Sequence, residues 1–277
     1  MRFASVLHDG QPYAVAIEDE TAVPLIDVAE LGAPSPNDLL RDPPLDRDAA
    51  FPLSEATYRP LIPRPEKIIC VGLNYKAHIE ETQREDSDSP VLFTKFANSL
   101  TGPYDTVACP PESEAIDYEG ELAVIIGAAA RRVSPDRALD VVAGYTVAND
   151  VTMRDYQYKT HQWLQGKAWE ASTPLGPALV TPDEAGDPGA LSLRTLVNGE
   201  VVQESSTELM IFPIPTLISV ISEFTTLKPG DVILTGTPAG VGFRRDPKLL
   251  MSDGDVAVVE IDGIGRLESH FAAAQRG

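Results

Sequence analysis

Residues 114–127 read EAIDYEGELAVIIG, and the fold turns on this stretch. Side chains at i and i+2 share one face of a strand, so Glu119 and Glu121 stand side by side with Asp117 in line. The run from Leu122 to Ile126 is continuous, apolar and largely β-branched, as a strand entering a core should be. Paired carboxylates at the mouth of a buried strand repel one another. They need a proton, a lysine or arginine, or a divalent cation beside them. The alternative is an edge strand that leaves both in water.

Toward the C-terminus, YTVAND (145–150) is a strand ending at Asp150, and VTMRDYQYKTHQWLQ (151–165) has the look of helical turns before Gly166-Lys167. Asn198-Gly199 divides SLRTLV from EVVQES and marks a hairpin. IPTLISVISEFTTL (214–227) has helical apolar spacing. DVILTG, DGDVAVVEI and GRLESHF supply further strands. Between the central stretch and YTVAND, Ser134-Pro135 opens an expected helix over 136–143 that stops at Gly144.

Toward the N-terminus, KIICVG (67–72) is a short buried strand. Asn74 stands where an N-cap would precede the turn YKAHIEE, in which His78 and Glu81 share a face. Glu80 to Pro90 contains no apolar residue and reads as a solvated loop, able to close over a site as a lid. VLFTK (91–95) returns as a strand carrying Lys95. Residues 1–28 alternate short strands with turns, Asp9-Gly10 being the clearest. Residues 33–52 hold five prolines and several aspartates, poor material for sheet or helix. A boundary near residue 65 therefore separates a small β-rich N-terminal unit (1–65) from a larger second domain (66–277).

The net charge of −20 repels phosphate backbones and anionic bilayers, so neither nucleic acid nor membrane is an expected partner. No run approaches a membrane span, and MRFASVLHDGQ lacks a signal peptide's apolar region. Cys70 and Cys109 are the two cysteines; free thiols and a cytoplasmic setting are expected. For Glu119, Glu121 and Asp150, oxygen-only ligands suit Mg²⁺ or Mn²⁺, with Ca²⁺ a further option. Zinc is disfavoured because no Cys/His cluster has ligand spacing. His78 with Glu81 suits a general base, or an ordinary ion pair on an exposed turn. Lys167 neutralises carboxylates, binds an anion or simply snorkels. TGTPAGVG (235–242) lacks the Lys-Ser/Thr of a phosphate loop; it is either a plain turn or a close approach to a ligand, with Thr237 as donor.

GLNYKAHIEE, FTKFANSLTGP, IDYEGELAVIIG, YTVANDVTMRDYQ, GKAWEASTPLGP, LVNGEVVQ and KPGDVILTGTPAGVG follow one another in the order seen in the fumarylacetoacetate hydrolase family, which the chain resembles from about residue 66 to 271. The resemblance implies an α+β, β-rich fold, a mixed β-sandwich roll with a small N-terminal domain, usually dimeric. It also implies metal ligation by Glu119, Glu121 and Asp150, a catalytic His78/Glu81 dyad and an active-site Lys167. Substrate contacts would come from Lys95, Arg154, Gln157 and Thr237. Two segments depart from the common pattern, Lys167-Ala168-Trp169-Glu170 and FTKFANS, and these bear on substrate identity. The implied activity is metal-dependent hydrolysis of a 2,4-dioxo acid (an acylpyruvate or fumarylpyruvate) to pyruvate and a carboxylic acid. The alternative is decarboxylation of an oxaloacetate-type 2-oxo acid, or isomerisation of an unsaturated 2-oxo diacid. A metal-dependent nuclease would suit the acidic residues but not the charge, and a scaffold would not need the intact polar set.

Overall fold

The Gly120–Ile126 strand is buried along its whole length, and its alternation explains the architecture. Leu122, Val124 and Ile126 join one core with Tyr145, Val147, Leu193, Val259, Ile261 and Leu267. Ala123 and Ile125 face the opposite way, into a second core with Phe3, Leu61, Ile62, Ala143, Ala148 and Leu175. A strand with two apolar faces must be covered on both. The computed structural model describes residues 1–32, 37–82 and 87–274.

Among the described residues the larger, mixed sheet has twelve strands. Its main path runs Phe51–Pro52, Thr21–Pro24, Gln11–Glu18, Arg2–His8, Thr173–Val180, Val142–Asn149, Gly120–Ile126, Val232–Leu234, Ile68–Gly72 and Val91–Lys95. Most pairs are antiparallel, but Val232–Leu234 runs parallel to Ile68–Gly72. A five-stranded sheet, in the order Glu200–Ser206, Ser192–Val197, Val256–Ile261, Gly265–Ala273 and Thr106–Cys109, packs against one face of the first. The Ile214–Phe224 helix seals that core with Leu217, Ile218 and Ile221. This is the expected β-rich sandwich with few helices. The N-terminal hairpins extend the large sheet through Arg2–His8, which pairs with Thr173–Val180, and keep a small core of their own around Val6, Val15 and Phe51.

Both hairpin turns lie where the sequence puts them. Asp9 and Gly10 have φ of 48° and 73°, and Asn198 and Gly199 have 51° and 86°, the left-handed pair a two-residue hairpin needs. Two expectations are corrected. Residues Pro135–Val141 form a 3₁₀ helix, and a strand already begins at Val142. Gly144 therefore lies inside the strand; a Cβ there would collide with Val180 O and the Leu179 side chain, so the glycine permits close strand packing rather than ending a helix. Asn74 does not cap the Lys76–Thr82 helix. Its amide donates to Phe212 O and Thr235 O at 3.1 and 2.8 Å and accepts from Phe212 N at 2.8 Å, tying three segments together. The middle of the expected 80–90 loop, residues 83–86, falls outside the described residues.

Candidate metal centre and active site

Strand register creates the acidic cluster. Gly120 pairs with Asn149 across the sheet, so the residues just past this pair, Glu119 and Asp150, meet at the strand ends. Asp150 N donates to Glu119 O at 2.9 Å, and Asn149 Oδ1 accepts from Glu119 N at 3.0 Å. Gly120 must be glycine, because a Cβ would overlap Thr195 Oγ1 of the facing sheet. Its N–H donates to Gln203 Oε1, and its carbonyl accepts from Thr237 Oγ1, both at 3.0 Å. Glu121, two residues after Glu119, projects to the same side. Each of Glu119, Glu121 and Asp150 presents an oxygen within 4.8 Å of the others, and all three are buried. Asp117 does not join them; its short strand Ile116–Asp117 pairs with Thr152–Met153, apart from the large sheet. It accepts instead from Arg154 Nε at 2.8 Å and from Gly242 N and Phe243 N at 2.8 and 3.2 Å.

Lysines enter this cluster from two directions. Lys167 Nζ lies 2.6 Å from Glu119 Oε2 and 2.8 Å from Asp150 Oδ2, and Lys95 Nζ lies 2.5 Å from Asp150 Oδ1. Arg154 Nη2 is 2.7 Å from Glu119 Oε1. Burial opposes the charge on Lys167, but Asp150 and Glu119 outweigh it and hold the ammonium above the usual lysine value. Burial likewise works against the Asp150 anion, yet Lys167 and Lys95 draw its carboxyl below the ordinary range. Glu121 is the exception. Burial, then the charges of Asp150 and Glu119, push its carboxyl well above normal. Its bond from Gly236 N, at 2.7 Å, compensates little, and among the described residues no basic side chain lies in ion-pair distance of it.

This donor set fits a hard dication: three converging carboxylate oxygens, buried, one of them lacking a cationic partner.

Beside the carboxylates opens a cleft lined by His78, Phe93, Glu119, Arg154, Gln157, Tyr158, Trp163, Lys167, Thr237, Phe243 and Arg244, among others. His78 is buried, and its Nδ1 lies 3.2 Å from Glu81 Oε2. Glu81 Oε1 accepts from Gly240 N at 3.0 Å, which locks the carboxylate behind the imidazole. Arg154 Nη1 donates to Gln157 Oε1 at 3.0 Å. Thr237 lines the cleft, but its hydroxyl donates to Gly120 O and accepts from Gln203 Nε2 at 2.8 Å. Lys95 is placed differently from the expectation of a substrate-facing group: it is fully buried behind Asp150 and does not line the cleft.

Sequence reading passed over Asn149 and Gln203, which hold the backbone on either side of Glu119, and Tyr158, Phe243 and Arg244 on the rim. The segment GVGFRR gave a signal for the last two, an aromatic residue and two arginines following a glycine-rich turn. Gln203 gave none, because its partners lie 83 and 34 residues away.

Comparison with known proteins agrees with this geometry. The fumarylacetoacetate (FAA) hydrolase C-terminal model matches residues 67–272. The rat protein named mitochondrial oxaloacetate tautomerase Fahd2a is 45% identical over 216 residues, covering 78% of this chain and 69% of its own length. A 5-carboxymethyl-2-hydroxymuconate delta-isomerase from Mycobacterium smegmatis superposes with a TM-score of 0.85 at 33% identity, over 99% of this chain and 100% of that one. A 2-hydroxyhepta-2,4-diene-1,7-dioate isomerase from Mycobacterium marinum gives 0.84 at 32% identity, over 100% of both chains. No helix among the described residues is long and apolar enough to cross a membrane. The rat relative's mitochondrial name leaves the cytoplasmic expectation without support. By family model, sequence identity and shared architecture, the chain belongs to the fumarylacetoacetate hydrolase family of enzymes.

Proposed function

We propose that the protein interconverts tautomers or double-bond isomers of a 2-oxo dicarboxylic acid, oxaloacetate being the simplest member of the class. The observation that carries this reading is one imidazole base beside a buried oxygen cage, in a chain 45% identical to a protein named oxaloacetate tautomerase. Relatives named tautomerase and isomerase reverse the order of activities expected from sequence, where hydrolysis of an acylpyruvate came first.

Tautomerisation needs a single base that takes a proton from carbon and returns it to oxygen. With Nδ1–H donated to the Glu81 carboxylate, Nε2 of His78 keeps its lone pair for that task. The C3–H bond breaks, its electron pair becomes the C2=C3 bond, and the carbonyl oxygen takes up a proton to give the enol. Bound at Glu119, Glu121 and Asp150, a Mg²⁺ or Mn²⁺ ion would supply Lewis acidity to the oxygens of the acid. Lys167 balances charge at the inner end of the cleft, and Gln157 and Thr237 fix its wall. Lys95 orients Asp150 from behind. We further propose that the protein works as a homodimer, as the family resemblance implies.

The test follows enol-oxaloacetate by ultraviolet absorbance, with pyruvate release measured in parallel on oxaloacetate and on acylpyruvates. Accelerated enol–keto exchange with little pyruvate is expected. Pyruvate released from a 2,4-dioxo acid at a higher kcat/KM would restore the hydrolase reading.

A further inference from the structure

The cations of the cleft are, with one exception, already committed. Arg154 faces Asp117 and Glu119, and Lys167 bridges Glu119 and Asp150. Arg244 also lines the cleft, and among the described residues its guanidinium has neither a carboxylate in ion-pair distance nor a hydrogen bond. What it has is aromatic company: the guanidinium carbon lies 6.0 Å from the Tyr158 ring centroid and 5.8 Å from that of Phe243. Its backbone is well anchored, since Gly242 N and Phe243 N both donate to Asp117. The group is thus fixed at its root and uncommitted at its tip.

Space and charge point the same way. The cleft holds roughly 500 Å³ of empty space, its open mouth included. Arg244 lines this cleft and is itself exposed to solvent, so its guanidinium stands on the side from which a ligand enters. On a chain of net charge −20, a dianion is repelled unless the entrance is locally positive. Arg244 supplies that charge, together with Lys248, whose ammonium sits 3.9 Å from the Phe243 centroid.

We propose that Arg244 reads the far carboxylate of the dicarboxylic substrate and so selects diacids over monoacids. This rests on the 2-oxo diacid reading above. A planar guanidinium grips a carboxylate through two parallel N–H···O bonds, a geometry lysine cannot copy.

The experiment compares wild type, R244M and R244K on oxaloacetate and on its 4-ethyl ester, in which the far carboxylate is masked. In R244M, kcat/KM for the diacid is expected to fall by about 10- to 100-fold, through KM rather than kcat, while the ester is unaffected; R244K should lie between. An R244M enzyme that still prefers the diacid, or loses equally on both substrates, overturns the assignment. Calorimetric binding of malate against lactate, an unreactive diacid and monoacid, separates the two claims. A wild type that turns over no 2-oxo diacid, yet prefers malate through Arg244, defeats the tautomerase reading and leaves the role of Arg244 standing. No preference for malate in the wild type defeats the role of Arg244.

Discussion

His78 owes its chemistry to a carboxylate that is itself held in place. Glu81 takes one bond from the imidazole and another from Gly240 N, so replacing His78 removes the base without touching the carboxylate triad. His78→Ala is expected to lower kcat by roughly 10²- to 10⁴-fold, the usual worth of a general base, with metal affinity retained. Steady-state kinetics beside a metal titration checks this; a kcat close to wild type would remove His78 from the chemistry. The cysteines offer an independent residue-scale test. Burial, reinforced by Asp253 and Asp255, pushes the Cys109 thiol up to about 11, and burial raises Cys70 well above normal. Since the neutral thiol is favoured in the fold, any stability it lends is present below the ordinary thiol value and lost as pH climbs toward 11. Alkylation of Cys109 at pH 8 should run about 100-fold slower in the native protein than in the unfolded chain, and quicken as pH rises. Rapid native labelling at pH 8 would contradict the burial.

At the scale of elements, Asn74 joins the strand Ile68–Gly72, the segment after Val232–Leu234 and the loop at Phe212 by three hydrogen bonds. Asn74→Ala should cost about 2–4 kcal/mol by stranding buried backbone groups, read from urea unfolding. Activity should fall too, because Gly236, next to Thr235, donates to Glu121. An unchanged midpoint would mean that those groups find other partners. Asn74 also shows where sequence reading stops. The acidic pair, the continuous apolar run of 122–126 and both hairpin turns were legible because each is a pattern within a few residues. What Asn74 does depends on residues 138 and 161 positions away, and no local pattern reports that. Gly144 misled for the same reason: its justification is the carbonyl of Val180, in a neighbouring strand. Lys95 was noticed, but which way its side chain points is decided by the pairing of Val91–Lys95 with Ile68–Gly72.

For the molecule as a whole, the strand ends of the large sheet and the short helices carrying Arg154 and Lys167 bring four carboxylates, Asp117, Glu119, Glu121 and Asp150, into one buried region with Lys95, Lys167 and Arg154. The acids exceed the bases by one, and the excess falls on Glu121, the carboxylate with no cationic partner. A dication at the triad accounts for that arrangement, and Glu121→Gln isolates it, since the amide oxygen still accepts from Gly236 N while the charge is gone. The direct measurement is calorimetric titration of Mn²⁺ into chelator-stripped protein, wild type beside E121Q. One ion bound per wild-type chain is expected, with binding lost in an E121Q protein that melts no lower than stripped wild type. Mn²⁺ binding of equal affinity in E121Q, or none in wild type, would contradict a metal centre at Glu119, Glu121 and Asp150.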